Sequence, residues 1–241
     1  MKLSVLMPVF DESRTLREAA KRILDLKLPA ELELVIVDDG STDGTADICR
    51  DLASDPRVVT AAHERNAGKG AALRTAGRLA SGDYAVVCDG DLEYDAADLA
   101  RLLAVVTDGI EVIYGTRSFS GHTAYSFWYV MGNRLVTFAT NLLYDCWITD
   151  LMTCSKLLPL PLLRDLDLRC DGFDVEAEIT AKLLIRGIRP YEVPVSYRAR
   201  SRGEGKKLVW RDGVKVLWVL TRVRTTAARR RRTSASDRSA W

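Results

Sequence analysis

Asp89 and Asp91 are the residues best suited to chemistry, one residue apart where the apolar run Tyr84-Ala85-Val86-Val87-Cys88 gives out. At the close of a strand alternate side chains share a face, so the two carboxylates can hold one divalent cation against a diphosphate. An acidic turn capping the next helix is the competing reading of an isolated Asp-x-Asp. Three further polar clusters follow apolar runs in the same way: Pro8-Val9-Phe10-Asp11-Glu12, Asp38-Asp39-Gly40-Ser41 and Gly115-Thr116-Arg117. Four such clusters on one sheet edge weaken the turn reading.

The elements that must position them alternate. Strands are expected at Leu3–Val9, Leu32–Val37, Arg57–Ala61, Tyr84–Cys88 and Glu111–Tyr114. Helices are expected from the cap-like Ser13 through Leu24, and at Thr42–Leu52, Gly70–Leu79 and Ala96–Val106, where apolar residues recur at helical spacing. That order predicts an α/β fold, a mostly parallel sheet with helices on both faces, whose ligands sit at the carboxyl ends of the strands. Neither a G-x-G-x-x-G after the first strand nor a G-x-x-x-x-G-K-[ST] is present, which disfavours dinucleotide oxidoreductases and P-loop enzymes. Gly68-Lys69-Gly70 opens a helix and could cradle an anion.

Length and composition fit one soluble domain: 241 residues, 28% charged and 47% hydrophobic. Five cysteines without a C-x-x-C pair, and only two histidines, argue against structural zinc and a disulfide framework and suit a reducing cytosol. The start reads as a first strand and not as a signal peptide. From Arg222 onward seven arginines face one aspartate, so the formal charge of +2 is made by the end of the chain. That Ser/Thr/Ala/Arg segment, 225–241, is expected to be a disordered basic tail, and no RNA-binding signature points to a nucleic-acid partner.

In their order along the chain these motifs resemble a family-2 inverting glycosyltransferase of the GT-A fold, in the branch of dolichyl-phosphate mannose synthase and related polyprenyl-phosphate sugar synthases. The resemblance rests on Ser4 to Glu12, Val35 to Thr45, Asn66-Ala67-Gly68-Lys69-Gly70, Asp89-Gly90-Asp91-Leu92-Glu93, Tyr114-Gly115-Thr116-Arg117, Thr149-Asp150 and Gly203-Glu204-Gly205-Lys206-Lys207. It implies one GT-A domain over 1–224, with a nucleotide-sugar half (1–117) and an acceptor half with interfacial helices (118–224). Pro8, Phe10, Glu12, Val37 and Asp39 would form the nucleotide pocket, Gly90 would line the donor site, Asp89 would face ribose and metal, and Asp91 would bind the cation, Mg²⁺ or Mn²⁺. Members of the family commonly carry Tyr where Phe10 stands and Ala where Gly90 stands.

A hydroxyl acceptor needs a positioned base, whereas a phosphate monoester, with a second pKa of about 6, is already largely ionised and needs cations. Arg117, Arg134, Arg200, Arg202 and Lys206 can supply them, and the resemblance favours Arg117, Arg200 and Lys206 for the donor diphosphate and acceptor phosphate, with Arg134 and Arg202 also offered to the latter. Asp150 could be the base of a hydroxyl-directed enzyme, a shaper of the acceptor site, or a cap. Glu176 and Glu178 do not share a helix face, so one is expected to be buried and one solvated.

Along 127–143 the large residues Trp128, Met131, Leu135, Phe138 and Leu142 recur in steps of three and four, and 208–223 is similar. Core packing is the expected role for most of that stripe, with an interfacial membrane surface as the other reading. No run is long and apolar enough to span a bilayer. The implied activity is transfer of a hexose, mannose or glucose, from a GDP- or UDP-sugar to a polyprenyl phosphate at the cytoplasmic membrane face, by a protein peripherally bound there or held by a membrane-anchoring partner. The alternatives are a hydroxyl-directed glycosyltransferase with Asp150 as base and a non-catalytic nucleotide-sugar binding protein.

Overall fold

The computed structural model describes residues 1–106, 109–118, 122–123, 127–200 and 210–238, the last stretch through its side chains only over 212–227. Arg202 and Lys206, and with them the Gly203 to Lys207 motif, lie outside the described residues.

The nucleotide half is built from β1 (Lys2–Val9), α1 (Leu16–Leu24), β2 (Glu31–Asp38), α2 (Thr45–Leu52), β3 (Val58–Ala62), α3 (Lys69–Leu79), β4 (Tyr84–Val87), α4 (Asp98–Leu103) and β5 (Ile113–Thr116). It is followed by β6 (His122–Thr123), α5 (Phe127–Tyr144), β7 (Lys156–Pro159), α6 (Leu160–Asp165), α7 (Val175–Ile185), β8 (Tyr191–Pro194), β9 (Tyr197–Arg198) and α8 (Trp210–Arg238). Seven strands form one sheet in the order β3-β2-β1-β4-β7-β5-β8, and β6 pairs with β9 apart from it. Strands β3, β2, β1 and β4 run parallel. β7 is inserted antiparallel between β4 and β5, so the sheet is mixed at that point.

The period of two along β1 explains the layers. Leu3, Val5, Met7 and Val9 face one side, where α1 and α4 pack, while Leu6 joins Val35, Val37, Leu73 and Ala76 on the other, under α3. A third cluster gathers Val136, Tyr144, Leu151, Ala177, Val216 and Leu220 between α5, α7 and α8.

Four local expectations are corrected. Helix α1 begins at Leu16 and not beside Ser13, because the Ser13 amide donates to Asp43 Oδ2 at 3.0 Å and so ties this loop to the next. Strand β4 stops at Val87, so Asp89 and Asp91 stand in a turn past the strand. Glu176 and Glu178 are both buried, each having found a cation or backbone amides inside the protein. On α5 the apolar stripe points outward: Phe127, Trp128, Leu135, Phe138 and Leu142 are exposed, while Val136, Thr137, Thr140 and Tyr144 face the core. Helix α8 carries its backbone through to Arg238, into the segment whose composition reads as a tail.

Candidate active site

β1 has β2 on one side and β4 on the other, and the chain winds away from it in both directions. The crevice at the carboxyl ends of these strands is where such sheets bind ligands. Phe10 to Glu12, Asp38 to Gly40 and Asp89 to Asp91 all lie there. Two loops are stapled together at this edge: the Asp11 amide donates to Ser41 Oγ at 2.9 Å, the Thr42 amide to Asp11 Oδ1 at 2.8 Å, and the Glu12 amide to Thr45 Oγ1 at 2.9 Å.

Among the expected pocket residues, Pro8 is buried in β1 and Val37 is wholly buried in β2, paired between β1 and β3. Phe10 is half-buried beyond the end of β1. Asp39 organises the pocket from beneath. Its carboxylate accepts from the amides of Ala67 and Gly68, at 3.0 and 2.7 Å, and lies 2.7 Å from His63 Nδ1. Both oxygens are therefore engaged in holding the Asn66 to Gly70 loop, while Oδ2, with one amide on it, keeps capacity to accept a further hydrogen bond. Gly68 has φ +100°, and a Cβ there would strike the Asp171 carbonyl, which in turn accepts from the Gly70 amide at 2.7 Å. Gly90 is set by packing: a Cβ on it would meet Val9 Cγ1 at 2.9 Å.

The acids are drawn together around Arg200. Its Nη1 donates to Glu12 Oε2 at 2.9 Å, its Nη2 to Asp91 Oδ2 at 3.0 Å and to Glu12 Oε1 at 3.2 Å, and its Nε is 3.5 Å from Glu93 Oε1. Leu92 sits at φ +60°, an unfavourable conformation for a side-chain-bearing residue. That turn lets the Glu93 amide donate to Asp91 Oδ1 at 3.0 Å. Burial, with Asp89 and Glu93 as like-charged neighbours, pushes the Asp91 carboxyl up, and Arg200 only partly offsets this. On the other flank Lys69 Nζ lies 2.8 and 2.9 Å from the two oxygens of Asp89.

The site could hold a divalent cation on oxygen donors alone. Asp89 and Asp91 are hard ligands in a cluster where Glu12, Asp89, Asp91 and Glu93 share Arg200 and Lys69, an excess of acid that suits Mg²⁺ or Mn²⁺. Among the described residues no group of three or more His, Cys, Asp or Glu side chains is arranged to hold a metal, so bound diphosphate or water would have to complete the coordination.

Beside this lies a second charged group. Arg117 and Asp150 form a fork, Nε to Oδ2 at 2.6 Å and Nη2 to Oδ1 at 2.7 Å, and Asn133 on α5 donates to Oδ1 at 2.9 Å. Asp150 is buried; burial alone would raise its carboxyl, but Arg117 and Asn133 hold it below the usual range. Thr149 is clamped in turn by Glu192 and by Thr116 Oγ1, at 2.8 and 2.7 Å. The Arg117 guanidinium stacks over the Tyr197 ring at 4.8 Å, and its Nη1 has no hydrogen bond among the described residues. Arg134, expected at the acceptor phosphate, is exposed on α5 next to Asn133 and makes no ion pair among the described residues.

Sequence reasoning missed Asn133, His63, Tyr197, Lys156 and the roles of Lys69 and Glu176. Only Lys69 carried a signal, as the centre of a glycine-flanked turn.

Comparison with known proteins fits this geometry. The chain is 27% identical over 206 residues to the glycosyltransferase AglJ of Haloferax volcanii, covering 85% of this chain and 65% of that protein. It is 27% identical over 222 residues to a dolichol-phosphate mannosyltransferase of Pyrococcus furiosus, covering 86% of this chain and 59% of the relative. It is likewise 27% identical over 231 residues to an undecaprenyl-phosphate 4-deoxy-4-formamido-L-arabinose transferase of Pseudomonas fluorescens, covering 94% and 66%. The chain thus spans about two thirds or less of the length of these relatives. In fold it resembles glucosyl-3-phosphoglycerate synthase from Mycobacterium tuberculosis in complex with UDP, with a TM-score of 0.71 at 19% identity, over 93% of this chain and 80% of the other. The architecture is therefore GT-A. The family model described as glycosyl transferase family 2 matches residues 4–166, well over half of the chain, and the chain belongs to that family.

Proposed function

We propose that the protein transfers a hexose, with inversion, from a nucleoside diphosphate sugar to a polyprenyl phosphate at the cytoplasmic face of a membrane. The observation that carries this reading is the state of Asp150. A general base must be reachable and poised near neutral pH. Asp150 is buried, holds Arg117 through both oxygens and is kept acidic. An acceptor that arrives already ionised needs no base, and the relatives named for dolichol phosphate and undecaprenyl phosphate support that choice.

In this reading Asp150 positions Arg117 so that its remaining N–H groups meet the acceptor phosphate, with Arg134, Arg202 and Lys206 as further cations. Glu12 and the loop ordered by Asp39 border the nucleotide. Arg200 leaves its carboxylate partners for the donor diphosphate. Asp89 and Asp91 would hold Mg²⁺ or Mn²⁺, which when bound neutralises charge growing on the departing nucleoside diphosphate.

The outward apolar face of α5, continued by Trp147 and by Val214 and Trp218 of α8, supports contact with a lipid surface. Arg222 stacks on Trp218 at 4.5 Å, so cationic charge lines the rim of that face. No helix among the described residues is long and apolar enough to cross a membrane.

The test is incubation of the chain with manganese, short polyprenyl phosphates and a panel of radiolabelled GDP- and UDP-hexoses. Label extracted into organic solvent is the expected result. Label transferred only to water-soluble hydroxyl acceptors would overturn the proposal.

A further inference from the structure

Behind Asp89 the structure carries a buried chain of alternating charges that the proposed reaction does not itself use. Lys69, the first residue of α3, reaches Asp89 on one side and Glu176 on the other. The two contacts differ in kind. Lys69 Nζ donates a hydrogen bond to Asp89 Oδ2 at 2.9 Å, whereas with Glu176 Oε1 it forms an ion pair at 3.1 Å that is out of hydrogen-bond alignment. Glu176 Oε1 is buried and has no hydrogen-bond partner among the described residues. A buried carboxylate oxygen that lacks a hydrogen bond is costly, even beside an ammonium.

Glu176 cannot easily come to Lys69. It sits on α7, buried along nearly its whole length, and its other oxygen is anchored 2.7 Å from Lys156 Nζ. Lys156 is fully buried and also bonds the carbonyls of Leu151 and Thr153, which exhausts its three protons. Lys69, by contrast, has a long side chain with two acceptors within reach, and its Nζ lies 5.7 Å from the centroid of the Phe173 ring.

We propose that Lys69 is a positioning residue that exchanges carboxylates: it neutralises Asp89 as the structure stands, and turns onto Glu176 Oε1 when a divalent cation takes Asp89. The exchange keeps every charge paired. Asp89 passes from an ammonium to a metal ion, and the ammonium completes its contact with a buried oxygen that it already meets at 3.1 Å without a hydrogen bond. Lys69 then sets the strength of cation binding by competing for Asp89, and Glu176 sets how readily it stops competing. This inference rests on the metal-dependent reading above.

The test has two arms that do not depend on turnover. In crystals of the wild-type chain with Mn²⁺ and UDP or GDP, Lys69 Nζ is expected on Glu176 Oε1; Lys69 still bonded to a metal-bound Asp89 overturns the proposal. In Mn²⁺ titrations followed by electron paramagnetic resonance with the same nucleotides, Lys69→Met should tighten binding and Glu176→Gln should weaken it, each by roughly tenfold. A role in folding alone would weaken both, so shifts in the same direction, or none, overturn the exchange. Asp91→Asn separates the two levels. Wild-type Mn²⁺ binding that Asp91→Asn abolishes, with no opposed shift in the other variants, ends the exchange and keeps the function. Absence of wild-type Mn²⁺ binding ends both.

Discussion

Arg117 and Asp150 meet fork to fork across 33 positions of sequence, at 2.6 and 2.7 Å, with the carboxylate buried and the guanidinium partly open to the site. A carboxylate engaged in that way is a holder of a cation and not a proton acceptor. Asp150→Asn should therefore reduce transfer by about tenfold, through a loosened Arg117, and not by many orders of magnitude. Asp150→Ala removes the partner of a largely buried cation and should lower stability by about 3 kcal/mol. Steady-state transfer assays and urea unfolding measure the two effects, and a loss in Asp150→Asn comparable to removal of a catalytic base would favour a hydroxyl acceptor.

Asp91 has Arg200, at 3.0 Å, as its one cationic partner among the described residues, and it shares that guanidinium with Glu12 and Glu93. Asp91→Asn should cost transfer on the order of 10²–10³-fold and abolish stimulation by Mn²⁺. Undiminished sugar transfer in that variant would remove the metal-dependent reading.

The lipid-facing surface can be tested without disturbing the core. Trp128 and Trp147 are 80% and 83% exposed. Replacing both with Ser should leave stability within about 0.5 kcal/mol while reducing sedimentation with anionic vesicles by roughly tenfold. Unchanged vesicle binding would assign this face to another partner.

Acid stability has a local source at the opposite end of the sheet. Burial would raise the Glu33 carboxyl, but hydrogen bonds from Ser4 Oγ, from the Ser81 amide and hydroxyl and from Lys2 bring it from 4.5 down to about 2. A depressed carboxyl contributes stability that is fully present above its unfolded value and is lost as pH falls through the folded one. Wild type should thus lose stability between about pH 4.5 and pH 2, and Glu33→Gln should flatten that part of the curve. Thermal melts across this range measure it; identical slopes for the two proteins would contradict the assignment.

Gly68 tests the loop that Asp39 holds. Its φ of +100° and the Asp171 carbonyl beside it leave no room for a side chain. Gly68→Ala should cost about 1–3 kcal/mol, read by denaturant unfolding, and donor binding should weaken with it.

The alternation of β-rich runs with helical periodicity was enough to place the five strands of the nucleotide half, their order of appearance and the carboxylates beyond their ends, but none of β6 to β9. Those features are local: side-chain period and chain punctuation decide them, and β1 shows the period of two directly in the split of its residues between two core layers. The antiparallel insertion of β7 between β4 and β5 was not legible, because strand neighbours are chosen by tertiary packing over long separations. Nor was the direction in which α5 presents its stripe: Trp128, Leu135 and Phe138 announce an apolar face, but only the packing of α7 and α8 against the Val136, Thr140 and Tyr144 side decides that it turns outward. Charged residues were the least readable of all. Asp89, Asp91, Arg117 and Asp150 could be named from their motifs, whereas Arg200 meeting Glu12 across 188 positions, and Lys156 meeting Glu176 inside the core, follow from topology alone. Burial in a low-dielectric interior makes such pairing compulsory, and the folded chain decides which acid each base will find.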